Sequence, residues 1–543
     1  MAIRKKKSRG PGAGREPSIA EERPQPRISA ERFPVVGIGA SAGGLEAVSE
    51  LLSSVPENTG LAFVVIIHQD ATHPSSLPHI FSRVTAMPVH AIQGGETLEP
   101  NHVYVAPHAR VLLDGNRLIL IKDGDTRDLP IHAFFRSLAE ARAGGAIAVV
   151  LSGAASDGSA GLKAIKSEGG ITFAQDSTAK FDSMPRNAVA SGAVDFVVSP
   201  SEVASELARI ARDSYTTGGQ SLPMLPPDGV ARLFSMLQRS HNIDFSHYKA
   251  GTVERRIRRR ITMQKIETLD DYLKLVRDDP PELDALYNDI LIRVTNFFRD
   301  PAVFEALKTE VFPTLFKEEN QPLRVWVPGC ATGEEVYSIA IVGLEAMEAA
   351  RFTCPIQIFG TDVSDAAIEQ ARAGLYSQTA VADVDKTRLH RFFTATNGSF
   401  QVSKTLRDCC IFAKQNVTKD LPFSRLDLIS CRNVMIYLGA PLQRKVMNIF
   451  HYALKPTGYL LLGNSETVGN FADLFGIADR KHKIYQKKYA AGRIGMQFEP
   501  ARPQPKERGE KPMEHDLPAA DGLRTCFARL IVFFSRDTCP QEC

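Results

Sequence analysis

The sequence predicts an α/β protein with two α/β units, one on either side of a helical segment. From about residue 34 to residue 213, short apolar runs alternate with helical patterns, which is typical of a layered α/β fold. A second alternation begins near residue 323, and residues 228–310 between the two units have a helical pattern. The predicted strands lie at 35–38, 61–67, 103–106, 146–151, 194–198, 324–327, 356–360, 426–430 and 459–462.

Three segments have compositions that do not favour a packed core. Residues 1–33 contain nine Lys or Arg against four Asp or Glu, a local charge of +5 (9 − 4), and we expect this basic arm to be disordered. Pro, Gly, Ser and Thr dominate 216–227, which predicts a linker, and 491–543 is predicted to be a disordered tail. The arm is typical of a solubilising segment, with binding to nucleic acid or an anionic membrane as the alternative.

Composition narrows the class of protein further. No run approaches the roughly 18 apolar residues that a membrane span needs, and the basic arm lacks an apolar signal core. We therefore expect a cytoplasmic protein that does not insert into a membrane. Eight cysteines without a Cys-x-x-Cys motif favour reduced thiols over a disulfide framework or a zinc site.

A glycine-rich turn follows the first predicted strand. Gly39-x-Ser41-x-Gly43 matches the nucleophile elbow, in which small neighbours permit a strained turn that exposes a serine at a helix N-terminus. There the helix dipole and free N–H groups can stabilise an oxyanion. The same glycines together with Gly37 also fit a dinucleotide-binding loop, so the turn alone leaves both possibilities open.

Two polar residues that follow other strands favour the nucleophile elbow over the dinucleotide-binding loop. His68 comes directly after the strand at 61–67, where a dinucleotide-binding fold would place an acid, and Asp157 lies in the loop after 146–151. Carboxyl ends of parallel strands meet at one edge of a sheet. The sequence thus predicts a catalytic triad of Ser41, His68 and Asp157, with a structural histidine as the alternative for His68.

The second α/β unit has a different glycine turn. Gly329-x-x-x-Gly333 lets the backbone approach the methionine part of a nucleoside, and Glu334 can accept a hydrogen bond from its ammonium group. Asp362, at the end of the next predicted strand, can bind both ribose hydroxyls. The segment lacks the pyrophosphate-binding Gly-x-Gly-x-x-Gly motif, so an adenosyl cofactor without pyrophosphate fits better than NAD.

Residues 34–200 resemble the catalytic domain of the chemotaxis protein-glutamate methylesterase family, CheB. The matching segments are 39–44, 68–69, 157–158, 174–176 and 183–188. The resemblance implies a three-layer, doubly wound methylesterase domain over 34–215, with deamidation of glutamine as a further candidate reaction. The family often has Thr-Gly-Met-Gly before the aspartate, where this chain has Ser-Gly-Ala-Ala at 152–155. The contribution of that loop to oxyanion binding therefore stays open.

Residues 228–488 resemble the chemoreceptor glutamate methyltransferase family, CheR. The matching segments are 294–300, 332–338, 360–362 and 431–437, although Val336 replaces a proline that is frequent in the family. The resemblance implies a helical subdomain over 228–300 and a Rossmann-like, S-adenosylmethionine-dependent methyltransferase domain over 301–490. By the same resemblance, the residues that line the cofactor pocket are Thr295, Arg299, Glu334, Asp362, Asn416, Val417, Arg432 and Asn433.

Four residues are candidates for binding the methyl acceptor. A glutamate carboxylate is already ionised at neutral pH and needs positioning rather than a base, for which Arg299 and Tyr437 are suited; a capping aromatic is the alternative for Tyr437. The helix at 253–261 has an apolar face with five arginines around the rest. We expect Arg256 and Arg259 on this basic face to dock an acidic receptor helix, and a purely structural helix is the alternative.

The predicted function is that of a bifunctional enzyme that sets the glutamate methylation of chemoreceptor cytoplasmic helices. Its cofactor is S-adenosylmethionine, and a separate response regulator or kinase is a further candidate partner. The chain lacks the Asn-Pro-Pro-Tyr loop used for nucleobase amines, which disfavours a nucleic-acid partner. The alternatives are a signalling scaffold with one degenerate half, and a hydrolase fused to a nucleic-acid methyltransferase.

Overall fold

A computed structural model describes residues 33–68, 76–121, 129–212, 225–292, 294–316, 321–378, 380–396 and 398–489. The predicted basic arm, most of the predicted linker and the predicted tail lie outside these residues. The predicted α/β class is confirmed, because the described residues form two seven-stranded sheets with helices packed against them. None of the described helices is long and apolar enough to cross a membrane.

The first sheet is entirely parallel and has the strand order β3-β4-β2-β1-β7-β8-β9. A separate antiparallel hairpin is formed by β5 and β6. The strands are β1 (Val35–Ala40), β2 (Ala62–Ile67), β3 (Val89–Ala91), β4 (Val103–Val105), β5 (Arg110–Asp114), β6 (Arg117–Ile121), β7 (Ala146–Val150), β8 (Ile171–Gln175) and β9 (Phe196–Val198).

Helices cover both faces of this sheet, which confirms the predicted three layers. Val36 and Ile38 of β1 pack into a core with α1 and α6, while Val35 belongs to a second core with α3, α4 and α5. Both faces of the parallel strands are therefore buried, as their continuous apolar sequence predicts. The helices are α1 (Gly44–Ser54), α2 (Leu77–Phe81), α3 (Pro130–Arg142), α4 (Ser159–Ser167), α5 (Ser183–Ala190) and α6 (Pro200–Arg212).

Four helices form the helical subdomain around a core of its own. Leu233, Ile257, Tyr272 and Leu286, one from each helix, are fully buried in this core. The helical pattern predicted for 228–310 is confirmed for most of its length, although 294–300 is a loop. The helices are α7 (Pro227–His241), α8 (Ala250–Met263), α9 (Leu269–Asp278) and α10 (Pro280–Ile290).

The second sheet has the order β15-β11-β10-β16-β17-β19-β18, with five parallel strands and an antiparallel pair at one edge. A small antiparallel sheet has the order β12-β14-β13. The strands are β10 (Leu323–Pro328), β11 (Ile356–Asp362), β12 (Leu375–Ser377), β13 (Phe393–Thr396), β14 (Ser399–Val402), β15 (Cys410–Lys414), β16 (Leu426–Cys431), β17 (Leu454–Leu462), β18 (Phe475–Asp479) and β19 (Ile484–Lys487).

Two cores also flank the second sheet. Val325 and Val327 of β10 pack into one core, and Trp326 between them packs into the other with Phe450. Trp326 is fully buried, and its indole N–H donates to Thr361 Oγ1 at 2.9 Å. The helices are α11 (Pro301–Ala306), α12 (Phe312–Leu315), α13 (Glu334–Ala350), α14 (Asp365–Ala373), α15 (Lys386–Phe392), α16 (Lys404–Asp408) and α17 (Ala440–Ala453).

Candidate active sites

The predicted nucleophile lies in a tight turn between β1 and α1. Gly43 caps the helix with a positive φ of 71°, and a Cβ added there would come within 2.8 Å of Ser152 Oγ. A Cβ added at Gly44 would approach Ala40 Cβ to 2.6 Å. Glycine is therefore required at both positions for the turn that presents Ser41 at the start of α1.

The serine turn is held by residues from two neighbouring strands. The Ser41 N–H donates to Ser152 O at 3.0 Å, and Ser152 Oγ donates to Ala42 O at 2.9 Å. The Ser152 N–H in turn donates to Gln175 Oε1 at 2.9 Å. Our sequence reasoning did not identify Ser152 as a site residue; the signal was its position, two residues after Val150 at the end of β7 and beside the serine turn.

The predicted histidine and aspartate are in direct contact. His68 Nε2 lies 2.8 Å from Asp157 Oδ2, and the Asp157 side chain is 1% exposed. The carboxylate also accepts the N–H groups of Ile131 at 3.0 Å and His132 at 2.9 Å, in the first turn of α3, and that of Gly158 at 2.7 Å. These donors fix the carboxylate against the imidazole, the arrangement that orients a catalytic histidine.

Strand register brings Ser41 and His68 to the same sheet edge. Ala40 of β1 pairs with Ile67 of β2, and the His68 N–H donates to Ala40 O at 3.2 Å. The described residues include no hydrogen bond between Ser41 Oγ and His68, a contact that often forms only with substrate. Since Asp157 binds Nε2, Nδ1 is the ring nitrogen left for the serine.

Backbone groups around Ser41 are suited to binding an oxyanion. Among the described residues, the N–H groups of Ala42 and Gly43 have no acceptor, and both precede the first turn of α1. Gly153 approaches the serine so closely that an added Cβ would lie 3.0 Å from Ser41 Cβ and 2.5 Å from Met184 Sδ. An ester carbonyl at this point would meet the positive end of the helix dipole.

A second site lies at the carboxyl ends of β10, β11 and β16. It is a pocket closed on one side by Tyr248 and 290–292 of the helical subdomain. The structure places most of the predicted cofactor residues, together with Tyr437, in its lining. The predicted residues that line it are Thr295, Arg299, Asp362, Asn416, Val417, Arg432, Asn433 and Tyr437.

Asp362 ends β11 with its carboxylate in the pocket. Oδ2 accepts the Ala331 N–H at 3.0 Å, and Oδ1 accepts the Ser364 N–H at 2.9 Å. A carboxylate has about four acceptor positions, so Asp362 can accept hydrogen bonds from ribose hydroxyls as well as from the backbone. Gly329 has a φ of 69°, and a Cβ there would come within 2.6 Å of Val434, so the loop opposite Asp362 requires glycine.

Glu334, one of the predicted cofactor residues, is not among the residues that line this pocket, whereas its neighbour Glu335 is. Glu334 is 5% exposed and accepts a hydrogen bond from Thr332 Oγ1 at 2.6 Å. Burial raises the pKa of Glu334 to about 7. A nearby cation would stabilise the ionised form of this buried carboxylate. Pairing of Glu334 with the cofactor ammonium stays a prediction.

Arg432 organises the pocket through contacts within the protein. Its guanidinium donates to Glu335 Oε2 at 2.9 Å, to Arg299 O at 2.8 Å and to Asp300 Oδ2 at 2.6 Å. The side chain is 3% exposed. Arg432 thus holds the loop that carries Arg299, and Glu335 holds Arg432. The sequence indicated the arginine but not this role for Glu335.

Two buried polar atoms in the pocket lining fit an adenosyl cofactor. Asn433 Oδ1 and Gln415 Oε1 are buried acceptors without a hydrogen-bond donor in the described residues. Both residues line the pocket, and amine or hydroxyl groups of a nucleoside would satisfy them. Gln415 and Tyr248 are lining residues that our sequence reasoning missed, since neither belongs to a recognisable motif.

Arg256 and Arg259, which the sequence predicts to dock an acidic helix, are buried in the structure, with exposed fractions of 3% and 0%. Neither lines the pocket. The physical reason is that the methylesterase-like half covers this side of α8 and supplies acceptors for both guanidinium groups. Whether these arginines bind a substrate stays a prediction.

The two sites define a protein that joins a serine-hydrolase domain to a Rossmann-like domain with a nucleoside pocket. Family models describe the same halves: "CheB methylesterase" matches 36–207, "CheR methyltransferase, all-alpha domain" matches 228–291, and "CheR methyltransferase, SAM binding domain" matches 293–484. The chain belongs to the chemotaxis methyltransferase family CheR and carries a CheB methylesterase domain in the same polypeptide. S-adenosylmethionine is accordingly the cofactor of the second site.

Three similar proteins illustrate the relationship. A putative methyltransferase, Cher3, of Pseudomonas putida is 31% identical over 265 residues, covering 47% of this chain and 95% of the relative. A chemotaxis protein methyltransferase of Borreliella burgdorferi is 30% identical over 250 residues, covering 44% and 88%. An uncharacterized 104.1 kDa protein of Rhodobacter capsulatus is 37% identical over 435 residues, covering 75% of this chain and 46% of that protein. The chain thus spans less than half of the last relative.

A solved structure is similar to the first half. The CheB methylesterase catalytic domain of Thermotoga maritima is 25% identical, with a TM-score of 0.31, and the match covers 33% of this chain and 98% of that domain.

Asp362→Ala should weaken S-adenosylmethionine binding by about 2–3 kcal/mol, because two charge-assisted hydrogen bonds to the ribose are lost. Titration calorimetry measures the change. Asp365→Ala is the matched control, since this exposed carboxylate lies three residues away and pairs with Lys414. Equal affinity in wild type and the Asp362 variant would show that the ribose binds elsewhere.

Cofactor affinity should depend on the ionisation of Glu334. Its pKa of about 7 means that the carboxyl is protonated below that pH and cannot pair with an ammonium. Affinity should therefore rise about five- to tenfold between one pH unit below this pKa and about pH 7.7, where the amine itself begins to lose its proton. Calorimetry over this range measures the slope, and Glu334→Gln should flatten it. A slope that persists in this variant would assign the titration to another group.

Proposed function

We propose that the chain is a bifunctional enzyme that hydrolyses glutamate methyl esters and forms them again with S-adenosylmethionine, acting on the cytoplasmic helices of methyl-accepting chemoreceptors. The observation that supports this most directly is the presence of both sites in one chain. The His68–Asp157 pair lies beside Ser41 in a CheB domain, and Asp362 lies in the pocket of a CheR domain.

Ester hydrolysis follows from the arrangement of the first site. Ser41 Oγ attacks the ester carbonyl carbon while its proton passes to His68, through Nδ1 because Nε2 is bonded to Asp157. Asp157 holds the ring orientation and stabilises the protonated imidazole. The N–H groups of Ala42 and Gly43 at the start of α1 bind the oxyanion that develops.

The same acyl chemistry accommodates a second leaving group. After the attack, His68 returns the proton to the departing methoxide, methanol leaves, and water hydrolyses the acyl group from Ser41. A glutamine amide in the same position would release ammonia. Deamidation of receptor glutamines is thus a further reaction that we assign to Ser41, His68 and Asp157.

Methyl transfer depends on positioning of the acceptor. S-adenosylmethionine supplies an activated methyl group, and the residues proposed to hold it are Thr295, Glu334, Asp362, Asn416, Val417, Arg432 and Asn433. Arg299 and Tyr437 line the same pocket and can orient the acceptor carboxylate, which is ionised at neutral pH and needs no base. Arg432 keeps Arg299 in place through its backbone carbonyl.

The receptor partner is acidic by the nature of the reaction, because methylation acts on glutamates. We assign its docking to α8, where Arg256 and Arg259 lie among five arginines. The N-terminus of this helix is next to the pocket, since the Lys249 N–H donates to Tyr437 O at 2.9 Å. Receptor helices of this type place the reaction in the cytoplasm, and a separate response regulator or kinase is a further proposed partner.

Ser41→Ala should abolish methanol release while methyl transfer continues, because the nucleophile and the cofactor pocket belong to separate sheets. For loss of a serine nucleophile the expected decrease in turnover is about 10^4- to 10^6-fold. The assays are methanol release from a pre-methylated receptor fragment and transfer of tritiated methyl to an unmethylated one.

Ser53→Ala is the matched control, since Ser53 is exposed on α1 and its hydroxyl donates to Glu50 O of the same helix. It should retain both activities. Continued methanol release by the Ser41 variant would exclude the triad, and loss of methyl transfer in the same variant would show that the two sites do not work independently.

A further inference from the structure

The helix α8 meets the CheB domain through the end of α4. Arg256 donates to Lys166 O at 2.5 Å and also to Ser167 O. Both carbonyls belong to the last turn of α4, where helix geometry leaves carbonyl groups without intrahelical donors and places the negative end of the dipole. The guanidinium of Arg256 thus acts as a cap on a helix of the other domain.

Arg259 joins the two domains by charge. Its Nε–H donates to Gly170 O at 3.0 Å and its Nη2 to Asp195 Oδ1 at 2.5 Å, both in the CheB domain. Its Nη1 donates to Asp289 of the helical subdomain. The Arg259 side chain is 0% exposed and that of Asp195 is 1% exposed. A guanidinium buried this completely requires acceptors for its charge. The CheB domain supplies one of them, the carboxylate of Asp195.

An ion pair at the margin of the same contact is partly open to solvent. Lys265, two residues after α8, donates to Glu206 of α6 at 2.5 Å, and Glu206 also accepts from Arg209 of α6 at 2.9 Å. The side chains of Lys265 and Glu206 are 57% and 16% exposed. This pair can be reversed in sign without touching either active site.

The contact leaves the esterase site open. Gly170 precedes β8 and Asp195 precedes β9, so both lie at the amino ends of the parallel strands. Ser41 and His68 follow β1 and β2 and lie at the carboxyl ends. The two edges are on opposite sides of the sheet, so the docked CheB domain covers α8 while its own triad faces away.

The acceptor side of the methyltransferase faces the same loop of the CheB domain. Glu168 directly follows the two carbonyls that Arg256 binds. Burial raises the pKa of the Tyr437 hydroxyl, and the charge of Glu168 raises it further. The Lys249 N–H at the start of α8 donates to Tyr437 O, so the end of α4 and Tyr437 both lie against this helix.

We propose that the basic face of α8, Arg256 and Arg259, has two alternative occupants: the α4–β8 edge of the CheB domain with Asp195, and an acidic methyl-accepting helix. The docked CheB domain then blocks receptor methylation but not ester hydrolysis. This inference depends on the proposed function, because it assigns the second occupant to the receptor substrate. Because the docked state hydrolyses methyl esters but does not form them, the two opposing activities do not have to run at the same time.

The test compares full-length variants in methylation of a purified chemoreceptor cytoplasmic fragment. Asp195→Asn removes the buried anion and keeps an acceptor for Thr172, and it should lower the apparent KM for the fragment about tenfold or more. Glu206→Lys should lower it about threefold, the scale of one exposed ion pair. Combining Glu206→Lys with Lys265→Glu restores the pair with reversed signs and should return the KM most of the way to the wild-type value, because Arg209 still repels the lysine at position 206.

Amide hydrogen exchange of the same proteins measures docking of the CheB domain on α8 independently of enzyme activity. The amides of 166–170 and of α8 should exchange faster in Asp195→Asn and Glu206→Lys, and closer to the wild-type rate in the charge-swapped protein. Methanol release from a methylated fragment should be unchanged in all of them. Glu57→Lys, an exposed charge reversal before β2 with none of these contacts, is the control and should behave as wild type.

The outcomes separate the two proposals. If wild type methylates the fragment but neither variant changes KM or exchange, α8 is not covered and the inference is wrong. If exchange changes while KM does not, α8 is not the receptor site and the shared occupancy is wrong. If no protein methylates the fragment although S-adenosylmethionine binds, the proposed function is wrong, and exchange still decides whether the CheB domain docks on α8. Should Asp195→Asn fail to fold, the charge-swap pair carries the test.

Discussion

Both active sites depend on the reversal of strand order at the centre of a parallel sheet. β1 has β2 on one side and β7 on the other, and β10 has β11 and β16. The connections therefore leave the central strand in opposite directions and open a crevice at its carboxyl end. A glycine turn enters each crevice, and the residue at the end of the adjacent strand decides the chemistry. In the function that we propose, an imidazole after β2 serves a nucleophile, whereas a carboxylate ending β11 binds a nucleoside.

Two buried arginines show how similar interactions have different consequences. The acceptors of Arg432 among the described residues belong to the methyltransferase half, so its contacts stabilise one pocket. Arg259 takes its acceptors from two domains. Burial alone would raise the pKa of Asp195, yet Arg259 and Lys166 beside it hold that pKa below its usual range. Arginines held by carboxylates can form the same kind of ion pair with the carboxylates of another partner. A purely apolar contact does not offer this exchange of partners.

The sequence predicted the strands that carry both sites because buried parallel strands are continuous apolar runs followed by glycine turns. It also predicted Ser41, His68 and Asp157 on one sheet edge. It could not predict that Glu335 rather than Glu334 lines the pocket, since the choice depends on how α13 turns at its first residue. Nor could it place Arg256 and Arg259, because helical spacing shows which residues share a face but not what covers that face. Tyr248 and Gln415 reach the pocket through tertiary contacts that no local pattern encodes.

Trp326 is the single tryptophan of the chain, and it lies in β10, three residues before Gly329 of the cofactor loop. Tryptophan emission excited at long wavelength therefore originates in the methyltransferase half alone. Its wavelength reports whether the indole is still buried against Phe450 and bonded to Thr361, while loss of the CheB sheet leaves it unchanged. Tryptophan fluorescence thus reports on the methyltransferase half of the intact protein, and ester hydrolysis reports on the CheB domain. Neither measurement needs an added label.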